Sequence, residues 1–336
     1  MPDGPVTVSV LVPVLDEERY IRECAQRMLA QELDGELEVL FIDGGSRDRT
    51  REILAELAAA DARVRVLDNP ARRTPHALNI GLAAARGEFV ARMDAHTFYP
   101  PRYLQDGIDR LRRGDVEWVA GAQLARGVDP GTRLVALAMS SRLGTGGASF
   151  RRESETEHDD DTGFTGVWRR ETLDAHGGWD EEWVNDQDFE LAARIRAAGG
   201  RIVCVPSMAA EYIPRGTLEG VARQYFRYGV FRVKTIRRHP QTMRRSHVLP
   251  PAVALTVAAS ALAPRPVRRL ARVGSAAYAT AVLVESARLR DEADRGQAAR
   301  LPLVFGAMHL AYGAGFLWGC VRMGPPLAAL AGLLRR

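Results

Sequence analysis

The chain as far as Met93 alternates strand-like and helix-like segments, and this alternation leaves few folds open to it. Short apolar stretches are followed by longer ones whose apolar residues stand three or four positions apart, which is helical spacing. The predicted strands are Val6–Val12, Leu37–Ile42, Val64–Leu67 and Phe89–Met93, and the predicted helices are Glu17–Gln31, Arg51–Ala60 and Pro75–Ala85. This order implies an α/β fold with a mostly parallel central sheet and helices on both faces.

Acidic loops follow three of the four predicted strands. In such sheets ligands bind beyond the carboxyl ends of the strands. The loops are Asp16-Glu-Glu18 after the first strand, Asp43-Gly-Gly-Ser46-Arg-Asp48 after the second, and Asp94-Ala-His96 after the fourth. The two glycines let the backbone approach a ligand closely. We therefore expect one binding site where these three loops converge.

Two groups of polar residues stand where they could bind a ligand or transfer a proton. Asp94 ends an apolar strand and His96 stands two residues on, so the pair could hold a divalent cation on a diphosphate. Asp186 and Asp188 open a predicted helix, Asp186–Ala198, and a carboxylate there could take a proton from a hydroxyl. The alternatives are structural: a capped or packed turn at the first pair, and helix capping at the second, which Asp186 could supply.

The rest of the chain is less regular. The pattern breaks over Met139–Thr162, where Gly144-Thr-Gly-Gly147 predicts a flexible loop. Leu218–Arg238 then predicts a long helix that is both basic and aromatic. We place a catalytic domain at residues 1–240 and a helical region at 241–336.

The region beyond Pro240 contains three apolar stretches, Val248–Ala263, Ala271–Val284 and Leu301–Val321. The last is long enough to span a bilayer. The shorter two suit segments that lie in the membrane interface, with arginines toward the headgroups. We expect membrane association, and the alternative is a buried helical subdomain.

Composition excludes other classes of protein. The net charge of +4 is small for a nucleic-acid-binding protein, so we expect no nucleic-acid partner. Cys24, Cys204 and Cys320 are far apart and have no metal-ligand spacing, which favours a reducing compartment.

Several motifs, taken in order, resemble those of the family 2 inverting glycosyltransferases, which have the Rossmann-like GT-A fold. The chain is most similar to the membrane-associated glucosyltransferases of succinoglycan-type polysaccharide synthesis. The resemblance covers residue 6 to about residue 235, and one tail motif extends it. The motifs are Val10-Leu-Val-Pro13, Phe41-Ile-Asp43-Gly-Gly-Ser46, Ala77-Leu-Asn79-Ile-Gly81, Arg92-Met-Asp94-Ala-His96, Gln187-Asp188-Phe-Glu190-Leu with Arg194, Gln224-Tyr-Phe-Arg227-Tyr228 and His309-Leu-Ala-Tyr-Gly313.

This resemblance implies a role for each matching residue. The donor-binding residues would be Pro13, Glu17, Asp43, Ser46, Asn79, Arg92 and Asp94. Asp94 and His96 would bind the metal, and Asp188 would be the general base. Residues that bind the acceptor or the diphosphate would be Glu190, Arg194, Gln224, Arg227 and Tyr228.

The resemblance also implies partners and a location. The donor would be a nucleoside diphosphate sugar, most simply UDP-linked, and the acceptor a lipid-linked or saccharide hydroxyl. The cofactor would be Mn²⁺ (or Mg²⁺), with the catalytic domain on the cytoplasmic face of the cell membrane. Two positions depart from the family: the usual Asp-x-Asp is Asp94-Ala-His96, and the usual Glu-Asp is Gln187-Asp188. Histidine suits Mn²⁺ better than Mg²⁺, which prefers oxygen ligands.

Three functions other than sugar transfer use a related fold or related motifs. A sugar-nucleotide nucleotidyltransferase would need a glycine-rich, basic loop after the first strand, where this chain has Leu15-Asp-Glu-Glu18. A dinucleotide-dependent oxidoreductase would need Gly-x-Gly-x-x-Gly there. The third is a membrane scaffold that retains a degenerate transferase domain, and His96 and Gln187 keep it open.

Overall fold

The computed structural model describes residues 6–146, 151, 153–293 and 296–334. Two compact units make up the chain. The first consists of Met1–Leu124 and Arg152–Tyr212, and the second of Ala125–Arg151 and Ile213–Arg336. The functional boundary at residue 240 stays a prediction, which limited proteolysis would test.

The described residues form eleven strands. In chain order they are β1 (Val6–Val14), β2 (Glu36–Asp43), β3 (Val64–Asp68), β4 (Phe89–Arg92), β5 (Thr97–Phe98), β6 (Trp118–Ala120), β7 (Gln123–Ala125), β8 (His158–Asp159), β9 (Gly166–Arg169), β10 (Ile202–Cys204) and β11 (Ala210–Tyr212). Eight of them form one sheet in the order β3-β2-β1-β4-β9-β6-β10-β8, and β5, β11 and β7 form a small second sheet.

The helices follow the same chain order. They are α1 (Ile21–Leu29), α2 (Thr50–Ala60), α3 (Thr74–Ala84), α4 (Tyr103–Arg112), α5 (Pro130–Ser140), α6 (Arg142–Thr145), α7 (Arg170–Ala175), α8 (Gln187–Ala197), α9 (Leu218–Arg238), α10 (Leu249–Leu262), α11 (Arg265–Arg288), α12 (Leu301–Met323) and α13 (Leu327–Leu334).

The large sheet is parallel where the sequence predicted it and mixed beyond. Strands β3, β2, β1 and β4 all run parallel, which confirms the βαβαβαβ order. Strand β9 lies antiparallel between β4 and β6, and β8 lies antiparallel on β10. The chain leaves β1 toward β2 on one side and later returns to β4 on the other. This reversal is the topological switch point at which α/β sheets bind ligands.

Two local predictions differ from the structure. Helix α1 begins at Ile21 and not at Glu17, because Asp16 takes a left-handed conformation (φ 55°) and the Glu17 carbonyl accepts the N–H groups of Tyr20 and Ile21 in a turn. Gly144 lies in the short helix α6, so a loop there is wrong. Gly147 lies outside the described residues.

The second unit is built around α12, which packs most extensively against α9. Glycines allow this approach, because a Cβ on Gly229 would lie 2.1 Å from the Tyr312 carbonyl oxygen and one on Gly315 would lie 2.0 Å from that of Phe226. Within the described residues, the helical segment Ala298–Met323 alone is long and apolar enough to cross a membrane. It shares that property with the core helices of soluble proteins.

Candidate active site

The loops that follow β1 and β2 are joined by hydrogen bonds. The Asp16 N–H donates to the Ser46 hydroxyl (2.9 Å), and the Arg47 N–H donates to the Asp16 carboxylate (2.7 Å). One turn further on, the Glu18 N–H donates to Asp48 (3.0 Å). The left-handed backbone at Asp16 is thus fixed by bonds on both sides.

The third loop joins them through His96. Its Nδ1 lies 3.1 Å from the Glu17 Oε1, and the Glu17 N–H donates to the Thr50 hydroxyl at the start of α2 (2.8 Å). The loops after β1, β2 and β4 therefore meet at the carboxyl edge of the sheet, where the sequence placed the site.

The buried carboxylate of Asp43 shapes the loop that follows it. It accepts the N–H groups of Gly45 (3.0 Å) and Ser46 (3.2 Å) and the Ser46 hydroxyl (2.5 Å), and the Arg51 Nε lies 3.6 Å away. Gly45 has φ 75°, a conformation that favours glycine. Pro13, one strand away, is partly exposed and pairs with Ile42. That Asp43 reads a nucleobase stays a prediction.

A buried arginine connects Asp94 with Asp188. Arg92 lies on β4, and its Nη1 donates to both carboxylate oxygens of Asp188 at 2.6 and 2.7 Å. Its Nε and Nη2 donate to the Asp94 carboxylate at 3.0 and 3.3 Å. All three side chains are less than 10% exposed. The structure thus brings together two acids that stand 94 positions apart in the chain.

The electrostatics of this triad favour a proton acceptor near neutral pH. Burial raises the pKa of Asp188 to about 6, Arg92 opposes that rise, and Asp94 adds to it. Burial alone would lower the pKa of Arg92, but Asp188 and Asp94 raise it, so the guanidinium stays charged. Carboxylates tuned toward neutral pH are typical of general bases.

Asp188 lies in the first turn of α8, where the helix dipole stabilises a negative charge. Asp186, the alternative acid, occupies the N-cap position with φ 61° but makes no side-chain capping bond. Gln187 keeps an amide 3.4 Å from the Asp188 carboxylate. The structure therefore sets Asp188, and not Asp186, against Arg92.

Three other predicted site residues hold a turn. The Asn79 side chain both donates to the Trp179 carbonyl (2.8 Å) and accepts its N–H (2.9 Å). Glu190 and Arg194 form a bidentate pair, and Arg194 donates to the carbonyls of His176 and Gly178. These contacts fix the loop between α7 and α8. Their predicted roles toward donor and acceptor stay predictions.

The remaining predicted residues lie on α9 in the second unit. The Gln224 amide donates to the Tyr228 hydroxyl one turn away (2.8 Å), and Arg227 is exposed. Their predicted role toward the diphosphate or acceptor also stays a prediction.

Sequence reasoning missed the aromatic side chains around the triad. The Phe164 ring centre lies 5.5 Å from the Arg92 Cζ, and the Tyr99 hydroxyl accepts the Asp94 N–H (2.8 Å). Tyr212 packs against His96, with ring centres 5.5 Å apart. The sequence offers a signal only for Phe164, which stands between Gly163 and Thr165-Gly166 in a loop before a strand.

The donor atoms of Asp94 and His96 suit a divalent cation that takes its other ligands from phosphate. No cluster of three or more His, Cys, Asp or Glu side chains able to hold a metal occurs in the described part of the chain. One or two protein ligands with substrate phosphates is a usual set for such ions. The oxygen of Asp94 and the nitrogen of His96 match the mixed preference of Mn²⁺.

Known proteins that are similar to this chain identify its family. The sequence profile described as "Glycosyl transferase family 2" matches residues 9–177. The succinoglycan biosynthesis protein ExoA of Rhizobium meliloti (strain 1021) is 33% identical over 247 residues, which are 73% of this chain and 74% of that protein. The chain belongs to glycosyl transferase family 2. This confirms the resemblance drawn from the motifs.

A more distant relative and a solved structure are also similar to this transferase. A dolichyl N-acetyl-alpha-D-glucosaminyl phosphate 3-beta-D-2,3-diacetamido-2,3-dideoxy-beta-D-glucuronosyltransferase of Methanococcus voltae is 23% identical over 69% of this chain and 74% of its own. The mannosyltransferase PcManGT of Pyrobaculum calidifontis, solved with GDP-Man and Mn²⁺, superposes with a TM-score of 0.61 at 20% identity, over 94% of this chain and 88% of its own. The fold is GT-A, as the resemblance implied.

Proposed function

We propose that this transferase moves a sugar from a UDP-linked donor to a hydroxyl of a lipid-linked or saccharide acceptor, with inversion at the anomeric carbon. The observation that supports this proposal best is that Arg92 binds both Asp94 and Asp188 and so holds the two acids close together. It supplies one carboxylate for a cation on the donor and a second for a proton on the acceptor. Participation in polysaccharide synthesis fits the relationship to ExoA.

Asp188 is the proposed general base. An inverting transfer needs one carboxylate to take the proton of the acceptor hydroxyl while its oxygen attacks the anomeric carbon. The bond to the leaving diphosphate breaks on the opposite side of the sugar. A buried base on a helix N-terminus keeps a fixed orientation for this step.

Donor binding is assigned to the three joined loops. Pro13, Glu17, Asp43 and Ser46 are proposed for the nucleoside side, with Asn79 and Arg92 as further donor-binding residues. Asp94 and His96 would hold Mn²⁺, which would neutralise charge on the diphosphate. Glu190, Arg194, Gln224, Arg227 and Tyr228 are proposed for the acceptor or diphosphate.

We place the second unit at the cytoplasmic face of the cell membrane. Helices α10 and α11 expose large apolar side chains, among them Leu262 (85% exposed) and Leu270 (75%). Exposed or partly exposed arginines lie beside them at positions 265, 268, 269 and 272. Apolar side chains beside basic ones are what an anionic lipid surface binds.

The test is a panel of UDP- and GDP-linked sugars incubated with lipid extract and Mn²⁺. We expect transfer from one UDP-linked donor and a β-to-α or α-to-β change visible by NMR. If sugar is transferred only from a GDP-linked donor, the proposed UDP-linked donor is wrong. Retained anomeric configuration would contradict the mechanism, and the absence of both transfer and donor hydrolysis with any metal would favour the scaffold.

Two aspartate variants test the base. Asp188→Asn should lower kcat by about 10²–10⁴-fold and leave UDP affinity nearly unchanged, because only the proton acceptor is lost. Asp186→Asn, two residues away on the same helix terminus, is the matched control and should stay active. The reverse result would transfer the role to Asp186.

A further inference from the structure

The geometry around Arg92 points to a role beyond binding the donor. All three guanidinium nitrogens are used, one on Asp188 and two on Asp94. Two buried carboxylates thus share one positive charge. A cation that binds Asp94 must compete with the two hydrogen bonds from Arg92, whereas Asp188 keeps its own.

We propose that Arg92 is a positioning residue which holds Asp188 in one orientation and gives up Asp94 to the cation of the incoming donor. This rests on the proposed function, and it links the two halves of the site. Before the donor binds, the single positive charge of Arg92 is shared between the two acids. With a cation on Asp94, the whole guanidinium charge would serve Asp188.

Arginine suits this role better than lysine does. Its planar fork lets Nη1 face one carboxylate while Nε and Nη2 face another. A lysine ammonium is a single point charge on a flexible chain, so it can supply the charge at this place but not both geometries.

Removing Arg92 should change cation affinity and the rate of transfer in opposite directions. Loss of the charge removes a competitor for Asp94 and a like charge near the cation, so cation affinity should rise. The same loss removes the hydrogen bonds that orient Asp188, so transfer should slow. A residue that merely supported the fold would weaken both when removed.

The chain provides a matched control in Arg110. This arginine is also buried in the first unit, at 6% exposure, and also lies between two carboxylates, pairing with Asp115 and with Glu157 (Nε to Oε2 2.8 Å). It belongs to α4, and neither of its partners is a predicted site residue. Arg110→Met therefore reproduces the loss of a buried paired arginine without touching the triad.

The experiment compares Arg92→Met, Arg92→Lys and Arg110→Met in the full chain. Free Mn²⁺ is counted by electron paramagnetic resonance in the presence of UDP, and kcat and donor KM are measured separately. We expect Arg92→Met to bind Mn²⁺ several-fold more tightly while kcat falls by about 10²-fold; a change in donor KM would report separately on the predicted donor contact of Arg92. Arg92→Lys should restore wild-type Mn²⁺ affinity and about tenfold of the lost kcat, and Arg110→Met should match the wild type in both.

Weaker Mn²⁺ binding by Arg92→Met, or the same pattern in Arg110→Met, would overturn the proposal. If Arg92→Met does not fold, Arg92→Lys decides: lowered kcat at unchanged Mn²⁺ affinity supports the role, and lowered Mn²⁺ affinity refutes it. A wild-type protein that transfers no sugar from any donor would refute the proposed function. The Mn²⁺ titration would then still show whether Arg92 competes for Asp94.

Discussion

At the scale of single residues, the ionisation of Asp188 predicts how activity depends on pH. A general base must be deprotonated, and burial raises the pKa of this carboxyl to about 6. We expect kcat/KM to fall as the pH drops through about 6, and a profile that stays flat down to pH 4 would argue against Asp188 as the base.

The raised pKa of Asp188 also makes stability depend on pH, but in the opposite direction to activity: stability falls as the pH rises. The folded-state pKa lies above the ordinary 3.8, so the folded protein holds this proton more tightly than the unfolded chain does. The stabilising contribution is complete below pH about 4 and is lost as the pH rises through about 6. The Tm of Asp188→Asn relative to the wild type should therefore be higher at pH 7 than at pH 4.5.

His96 predicts the metal preference of the transferase. A nitrogen ligand suits Mn²⁺, whereas a second carboxylate would suit Mg²⁺. We expect His96→Asp to raise the ratio of Mg²⁺-supported to Mn²⁺-supported activity, and His96→Ala to lower Mn²⁺ affinity at least about 10-fold, the effect of losing a supporting group at a metal site. If the ratio of Mg²⁺-supported to Mn²⁺-supported activity is unchanged in His96→Asp, then His96 pairs with Glu17 and does not bind the cation.

The sequence predicted which residues lie together better than it predicted the hydrogen bonds between them. The motifs selected Arg92, Asp94 and Asp188, and the structure places them together. They could not show that Arg92 joins the two acids, because the contact joins residues on β4 and α8 and depends on the packing of the sheet. Nor could they show that Asn79 bonds to the backbone of Trp179, a hundred residues away.

At the scale of elements, the period of apolar residues was informative where a strand or helix buries one clear face. Strands β1 to β4 lie where this period placed them, with ends that differ by no more than two residues, and α9 has the bounds predicted for the long basic and aromatic helix. Short strands such as β5 and β8, of two residues each, carry too few positions to show any period. Their placement comes from pairing with β11 and β10.

The packing of α9 on α12 predicts a strong effect at one glycine. A methyl group on Gly315 would meet the Phe226 backbone, which cannot move aside as a side chain can. Gly315→Ala should lower the free energy of unfolding by about 1–3 kcal/mol, as overpacking does. The control is Gly306→Ala on the same helix: beyond the backbone of that helix, nothing lies within 4 Å of a Cβ added there, and alanine favours helix over glycine by up to about 1 kcal/mol. Equal Tm shifts in the two variants would contradict the close approach.

At the scale of the whole molecule, the charge distribution is uneven along the chain. Residues 220–284 contain no Asp or Glu, yet they include the arginines at 265, 268, 269 and 272. The net charge of +4 hides this segregation, because acids elsewhere balance it. The apolar stretches indicated the helices α10 to α12, but not which helix faces inward. That depends on the glycine contacts of α12 with α9.

The contacts between α9 and α12 decide how membrane binding can be tested. Truncation after Arg238 would remove α12 and expose Val233 and Ile236 of α9, which are buried. A soluble, active fragment is therefore not expected, and substitutions on the outer face of α10 and α11 are the sharper test. The relevant side chains are the four arginines and the exposed Leu262 and Leu270.

Replacing those four arginines by glutamine should weaken binding to anionic vesicles and leave nucleotide binding intact. Each basic residue near such a surface contributes roughly 1 kcal/mol, so the partition coefficient should fall by about 10²–10³-fold at low salt. Leu262→Gln with Leu270→Gln should weaken binding at every salt concentration, because the apolar contribution is not screened. The control variant carries glutamine in place of four exposed arginines of the first unit, Arg102, Arg112, Arg113 and Arg201. It makes the same charge change and should have little effect.

Flotation on vesicles with and without anionic lipid measures the binding of the arginine variant, the leucine variant and the control variant. A wild-type protein that stays in the soluble fraction without detergent and ignores both kinds of vesicle would show that this face meets protein or water instead.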